Sequence, residues 1–584
     1  MNPLIDHLDI WTSAWEKKAS GGRGSNGKLN PYGIQKLREL ILELAVRGRL
    51  VPQDPNDEPA SVLLEKIAKE KARLMKEGKI KKQKKMSEIT EQEMPFNLPS
   101  GWEWVRLGNL LLRISNGYSG KQNKNGHGHP ISRIETISNS IIDMEKVGYS
   151  TEIPRDKLGY YRLHCGDILL SHINSDYHVG KTAIVPEGIT LYHGVNLLLL
   201  RTSSHVLPRY IDLSINSLRL SGYFLKIAQH AIGQASINQS KVVAICLGVP
   251  PLAEQHRIVA KVDELMALCD RLEQEQTDSR EAHQTLVETL LRTLVQAPDA
   301  EAAQQAWQRI AQHFDLLFTT EAAIDQLKQT ILQLAVMGKL VPQNPNDEPA
   351  SVLLEKIAEE KARLTNAKEI RKTKRPATYD EEPQDFLPPN WAWTILYELG
   401  EIGPRNGLDD NLETAFVPMA LIPDGYGKKA RFETRLWKEI KTGFTHFRDG
   451  DVVLAKITPC FQNGKSAVMS GLPNGYGAGT TELHVFRPIE GTIVPEYVLL
   501  FLKSPGFLLE GIPRMTGTAG QKRITRDYFA GKPFPLPPLA EQHRIVAKVD
   551  ELMALCDALK ARIQESETTQ RRLADAVVHQ AVGQ

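Results

Sequence analysis

Cysteine is scarce in this chain of 584 residues, and its five copies, Cys165, Cys246, Cys269, Cys460 and Cys556, are far apart with no Cys-x-x-Cys pair. That spacing excludes a sequence-local zinc site and argues against a disulfide framework. No run of about 18 apolar residues occurs, so no transmembrane helix is expected. The stretch from Met1 to Glu16 carries Asp6, Asp9 and Glu16 among its apolar residues and lacks the basic start and apolar core of a secretory signal. The chain is therefore read as cytoplasmic, with no membrane partner. Charge of one sign is also in short supply: 72 Lys and Arg stand against 70 Asp and Glu, a net of +2.

Motifs of catalysis are missing as well. There is no His-Glu-x-x-His and no Gly-x-Ser-x-Gly. Gly180-Lys181-Thr182 and Gly464-Lys465-Ser466 copy the end of a phosphate-binding loop, but Ser175 and Pro459 stand where its first glycine is required. Asn30-Pro31-Tyr32 is one proline short of the Asn-Pro-Pro-Tyr motif of adenine methyltransferases and has no Gly-rich strand–loop–helix beside it, so it reads as a turn leading a helix. Glu254-Gln255-His256-Arg257 and its copy Glu541–Arg544 sit at a helix start, where capping or contact with a partner subunit is a better reading than acid–base chemistry. No residue is assigned a catalytic or metal-binding role.

What the chain has is repetition, and this organises everything else. Leu37–Leu74 returns as Leu327–Leu364 with 8 differences in 38 positions, and Pro250–Asp270 returns unchanged as the 21 residues Pro537–Asp557. Between these blocks lie segments that share only a skeleton. LPSGWEWVRL at Leu98–Leu107 parallels LPPNWAWTIL at Leu387–Leu396, and GDILLSHINSDYHVGKTAIV at Gly166–Val185 parallels GDVVLAKITPCFQNGKSAVM at Gly450–Met469. Glycines and apolar residues are kept while most polar residues differ. Neutral drift after a duplication would have spread over both kinds of segment. A repeated frame implies a pseudo-two-fold plan, and two unlike domains on such a frame suit an asymmetric, two-part target. Positive charge leans modestly toward these domains, with 15 Lys and Arg against 10 Asp and Glu in 97–250 and 17 against 15 in 387–537.

The divisions that follow are an N-terminal helical region with the first repeat block and a basic linker (1–96), a variable domain (97–250), a helix and connector (251–326), the second helical block and basic linker (327–386), a second variable domain (387–537) and a C-terminal helix (538–584). The fold class is α/β (α+β). Ile258, Val262, Leu265, Cys269 and Leu272 recur at heptad spacing, as do Ile545, Val549, Leu552, Cys556 and Leu559, continuing to Ile563. Pro250-Pro251 and Pro537-Pro538 end the preceding strand and admit each helix. Each helix has room for some 40 residues, roughly 60 Å at the α-helical rise. The two seams are expected to pair antiparallel as a rigid spacer, or else each to pack on its own domain, with Cys269 and Cys556 as small buried hydrophobes. Blocks 37–74 and 327–364 read as helical hairpins, with Leu37, Leu40, Ile41, Leu44 and Ala45 on one face and Val62, Leu63, Leu64, Ile67 and Ala68 on the other. They lead into Lys79–Lys85 and Arg371–Arg375, either phosphate-touching arms or solvated linkers. Within the variable domains Pro208–Ile227 and Pro495–Phe507 read as short helices, and Asn116–His129 and Gly471–Gly479 as loops.

The motif Pro-Leu-x-Glu-Gln-x-x-Ile at Pro251–Ile258 and Pro538–Ile545, followed each time by a heptad helix around two dissimilar domains, resembles the specificity subunits of Type I restriction-modification systems. The resemblance runs from about residue 30 to the end, and the long helical blocks resemble the larger type IB branch. It implies a non-catalytic DNA-binding subunit whose variable domains are target recognition domains, each reading one half of a split site in double-stranded DNA. The helices would set the gap. It implies two modification subunits as partners, which carry S-adenosylmethionine and methylate adenine, and restriction subunits that supply ATP- and Mg-dependent translocation and cleavage; this chain would hold no cofactor. Two other readings stand beside it. A fused methyltransferase-nuclease would need a cofactor-binding glycine loop or a paired-acid metal site. A coiled-coil scaffold without DNA would show no salt-dependent DNA binding.

Base edges are read by Arg, Lys, Asn and Gln, so readers belong among the polar residues that differ between the domains. In the first these are Lys121, Asn123, Lys124, His172, Asn174, His178, Lys181, Gln234, Ser236 and Asn238. In the second they are Arg405, Lys456, Thr458, Gln462, Lys465, Thr480, Gln521, Lys522 and Arg523. Lys181 and Lys465 occupy equivalent places, which points to a shared phosphate contact. Lys181→Ala should therefore weaken binding to all DNA sequences alike in a titration series. A shift in the preferred sequence would contradict that role.

Overall fold

The computed structural model describes residues 7–17, 29–81, 86–138, 140–176, 178–231, 234–298, 300–371, 373–377, 387–518 and 520–583, with backbone only at 231, 234 and 300. Lys82–Lys85 and Lys372 of the basic linkers lie outside this set. The chain forms two compact units, Met1–Asp278 with Glu567–Gln584, and Ser279–Ser566, so the division runs through each of two long helices, Leu252–Val295 and Leu539–Gly583. Among the described residues no helix is long and apolar enough to cross a membrane.

The first unit is built around an antiparallel sheet in the order Thr182–Ile184, Ile168–Ser171, Leu197–Thr202, Leu111–Asn116. Its central strands are apolar at consecutive positions, Ile168 to Leu170 and Leu197 to Leu200, because both faces are covered and all seven side chains are buried. Pro208–Leu220 packs on the sheet, with proline opening the helix and Tyr210 and Ile211 fully buried. Tyr32–Val46 packs on that helix through Leu37, Leu40, Ile41, Leu44 and Ala45, the face read from the sequence. The turn reading of Asn30-Pro31-Tyr32 also holds, since Pro31 is the N-cap of this helix. Ala60–Lys76 buries a narrower stripe than expected, Ala60, Leu63 and Ile67, while Ala68 is exposed. Its Lys71 Nζ donates to the carbonyls of Gly108 and Asn109, and its Glu70 accepts from the hydroxyls of Ser203 and Ser204. Each helix of the expected hairpin is thus fastened to the variable domain.

The second unit repeats the plan with the sheet Ser466–Val468, Val452–Ala455, Leu483–Pro488, Gly400–Ile402 and the helix Pro495–Lys503. It adds a second four-stranded sheet, Glu433–Leu436, Glu413–Val417, Tyr476–Gly479, Thr445–Arg448. Part of the stretch expected as a Gly-rich loop is therefore a strand. Its glycines answer close packing: a Cβ on Gly477 would lie 2.6 Å from the Phe447 ring and 2.7 Å from the Ala415 carbonyl oxygen.

The heptad seams are buried within their own units. Ile258, Val262, Leu265 and Cys269 join the core that holds Leu37, Leu40 and Tyr210, and Ile545, Val549 and Cys556 join the core that holds Leu327, Ile331 and Tyr497; Leu272, Leu552 and Leu559 lie at the edges. Burial pushes the Cys269 thiol up to about 11 and raises Cys556 as well. The alternative of packing on the home domain thus accounts for the seams. The two helices nevertheless run in opposite directions in the first unit. From Arg38 to Gln53 the partners on the first helix step back from Asp270 to Glu254, whereas from Tyr32 to Arg47 those on the second step forward from Asp575 to the carbonyl of Val582. In the second unit Asp325 and Lys328 pair with Lys560 and Asp557, while Gln326 and Lys339 reach Glu288 and the Val295 carbonyl.

The repeated Glu-Gln-x-Arg is a bracket. Glu254 is buried and accepts from Trp102 Nε1 at 3.0 Å and Gln53 Nε2 at 2.8 Å; Glu541 accepts from Trp391 at 3.1 Å and Gln343 at 2.8 Å. Gln255 accepts from the Leu207 N–H and donates to the Pro250 carbonyl, as Gln542 does with Val494 and Pro537. Arg257 and Arg544 pair with Asp57 and Asp347 in the Asn-Asp-Glu-Pro turns. Each bracket joins a helix start, a turn of the repeated block and a variable domain.

The buried polar groups have two measurable consequences. Glu254→Gln turns an acceptor toward two donors into one acceptor and one donor, so the unfolding free energy should fall by about 1–3 kcal/mol in denaturant titration; an unchanged value would contradict the bracket. Burial also holds His172, His193 and His484 down to about 4. Their ordinary value is about 6.5. Between those values the unfolded chain binds the protons and the folded chain does not. Their contribution is complete above about pH 6.5 and is lost toward pH 4, by up to about 1.4 kcal/mol per pH unit for each group. The denaturation midpoint should drop between pH 7 and pH 5, and less so in His193→Gln; equal slopes in the two proteins would contradict this assignment.

Candidate nucleic-acid interface

In each variable domain the central strand runs out of the sheet into a loop, and a hairpin from far along the chain closes on that loop. In the first domain Ile168–Ser171 leads to the short strand Ile173–Asn174, which pairs antiparallel with Gln234–Ser236, itself paired with Gln229–Ala231. The Ile237 N–H donates to the His172 carbonyl at 2.8 Å. In the second domain Val452–Ala455 leads to Lys456, Ile457 and Thr458; Ile457 pairs with Arg523, and Arg523 pairs with Thr516. The Thr458 N–H donates to the Lys522 carbonyl at 2.9 Å and the Ile524 N–H to the Lys456 carbonyl at 2.8 Å. The bonds to His172 and Lys456 match, which makes His172 and Lys456, Asn174 and Thr458, Gln234 and Gln521, and Ser236 and Arg523 equivalent positions. Candidates more than 50 residues apart in sequence therefore share one loop–hairpin platform per domain.

The side chains differ in how free they are. Gln462, Gln521 and Lys522 are exposed, as are Lys121 and Lys124 on the separate loop 117–128. Asn123 between those lysines closes its own turn, accepting from the Asn125 N–H and donating to the His127 carbonyl. Ser236 and Lys456 are half-buried, and only the backbone of Gln234 is described. Asn174 donates to the Ser171 hydroxyl and accepts from the Ser175 N–H. Thr458 donates to the Gly520 carbonyl and Thr480 accepts from the Glu482 N–H. Arg405 is exposed and donates to the Phe444 carbonyl at 3.1 Å. His178 and Lys181 lie half-buried on one turn, where burial and then the lysine's charge hold the imidazole below its usual value.

Three expectations meet a structural role instead. His172, between the strands Ile168–Ser171 and Ile173–Asn174, is buried, and burial holds its imidazole down to about 4. Asn238 is the N-cap of Gln239–Val243, accepting from the Lys241 N–H at 2.9 Å, as Thr525 caps Arg526–Gly531. Lys465 Nζ donates to the Met419 carbonyl at 3.0 Å, a contact of the second domain's own loop.

Several residues that matter here were not singled out from the sequence. Asp167 and Asp451, both buried, receive the guanidinium groups of Arg201 and Arg487 at 2.6 and 2.7 Å and brace the sheet below each platform. Burial pushes Asp451 up, and Arg487 pulls against it. Their signal was present as the Gly-Asp pairs and the arginines after Leu200 and Phe486, kept in both domains. Glu482, which holds Arg523, is matched in the first domain by Asn196, which carries no charge, and so gave no such signal.

The profile of the family described as the Type I restriction modification DNA specificity domain matches residues 99–280 and 391–567, one stretch for each variable domain and the start of its helix. The chain is 38% identical over 618 aligned positions to the Type I restriction enzyme EcoAI specificity subunit of Escherichia coli, covering 99% of each chain. It is also 38% identical over 600 positions to the EcoEI specificity subunit of Escherichia coli, again with 99% of each covered. The crystal structure of the HsdS subunit from Thermoanaerobacter tengcongensis aligns with 84% of this chain and 99% of its own at 20% identity and a TM-score of 0.41. With the family's profile found twice on the repeated frame, and two relatives alike from end to end, this chain belongs to the specificity subunits of Type I restriction-modification enzymes.

Proposed function

We propose that this chain chooses the DNA sequence on which a Type I restriction-modification assembly acts, and makes or breaks no covalent bond itself. Each variable domain reads one half of a split, asymmetric site in double-stranded DNA. Modification subunits, two per chain, bring S-adenosylmethionine and methylate adenines, and restriction subunits bring ATP- and Mg-dependent cleavage. The complex works in the cytoplasm. The observation that carries this reading is the pair of loop–hairpin platforms: the backbone bonds under them are matched, while Asn174 and Thr458, or Ser236 and Arg523, differ on top. Equal scaffolds with unequal polar faces suit two different base sequences.

The test is to co-express the chain with its modification subunit and map methylated adenines across a genome. Two short specified halves around a fixed unspecified gap are expected. Binding should also fall steeply as salt rises, in proportion to the phosphates contacted. A continuous motif would remove one domain from the reading role, and an assembled complex that methylates nothing and shows no salt-dependent DNA binding would favour the scaffold.

A further inference from the structure

Arg523 is fixed at both ends. Its backbone exchanges hydrogen bonds with Thr516, N–H to carbonyl at 2.8 Å and carbonyl from N–H at 3.0 Å. Its side chain donates from Nε and Nη2 to the two oxygens of Glu482, at 2.9 and 2.8 Å, and from Nη1 to the Gln521 carbonyl at 3.1 Å. Glu482 is anchored in turn, its N–H on the Thr480 hydroxyl and its carbonyl on the Lys456 N–H. A guanidinium has five N–H donors in one plane. Three are engaged here, which leaves one on each terminal nitrogen, on a side chain that is 42% exposed.

The pairing changes what this arginine is suited to. The Glu482 carboxylate cancels its charge at short range, so a phosphate gains little from it. The two remaining donors are untouched by that cancellation and held in a rigid fork. Guanine offers the complementary pair of acceptors, O6 and N7, in the major groove, and a fork already immobilised loses less entropy on binding. In the first domain Ser236 and Asn196 occupy the equivalent positions, and neither can present such a fork.

We propose that Arg523, positioned by Glu482, reads one guanine in the half-site of the second domain. The proposal rests on the DNA-reading function above and adds the base, the residue that reads it and the residue that orients it. Arg523→Ala, Arg523→Lys and Glu482→Gln, each co-expressed with the modification subunit, can be compared with the unchanged complex by methylated-adenine mapping. The unchanged complex should require a G·C pair at one position of the second half-site. Arg523→Ala should relax that position by about tenfold or more, the worth of one bidentate contact, and leave the first half-site as it was. Glu482→Gln should relax the same position to a lesser degree. Arg523→Lys keeps the charge and loses the fork, so it too should relax that position; behaviour like the unchanged protein would mean a phosphate contact and overturn the proposal. It would equally be overturned by an unchanged motif in all three variants, by relaxation at several positions, or by a uniform loss of methylation with a lowered unfolding midpoint. Failure of the unchanged complex to yield a split motif would remove the proposed function itself, and this assignment with it.

Discussion

Glu254 and Glu541 are carboxylates taken out of water, and each is satisfied by an indole N–H from the variable domain and an amide N–H from the repeated block. Burying an ionisable group costs several kcal/mol unless donors replace its water, so the three pieces must arrive together. Gln255 and Gln542, next in sequence, tie in the backbone that leads to the packing helices. From this constraint comes the reason the same 21 residues stand twice in the chain. They set a helix, a turn and a sheet in one geometry on which different surfaces can be carried.

That arrangement separates stability from recognition. The cores beneath the platforms are apolar strands braced by Asp167–Arg201 and Asp451–Arg487, and they do not depend on which polar residues top the loop and hairpin. Ser236 can become Arg523 because the strand pairing below is made by backbone groups. The extra sheet of the second unit, 413–479, shows how far the periphery can diverge while the platform is retained.

Much of this was legible in the residues. Repetition revealed the frame, heptad spacing the long helices, and apolar runs the central strands. The packing partner of the seams was not legible, because a stripe such as Ile258, Val262, Leu265 and Cys269 says that one face is buried and not against what. The glycines at 477 and 479 misled for a related reason: close sheet packing and a flexible turn call for the same residue. Individual readers were hardest. His172, Asn238 and Lys465 are polar residues in divergent stretches, as Arg523 is, yet one is buried, one caps a helix and one holds a loop. Only the contact between Glu482 and Arg523, distant in sequence, sets that arginine apart.

The central claim is that the two platforms are interchangeable readers on equal footings. The most direct measurement is to replace residues 391–536 by a second copy of residues 102–249, assemble the chain with its modification subunit and map the methylated adenines. The account predicts a split site whose two halves both carry the sequence read by the first domain. A site that keeps the original second half would show that specificity resides outside the variable domains and would contradict the account.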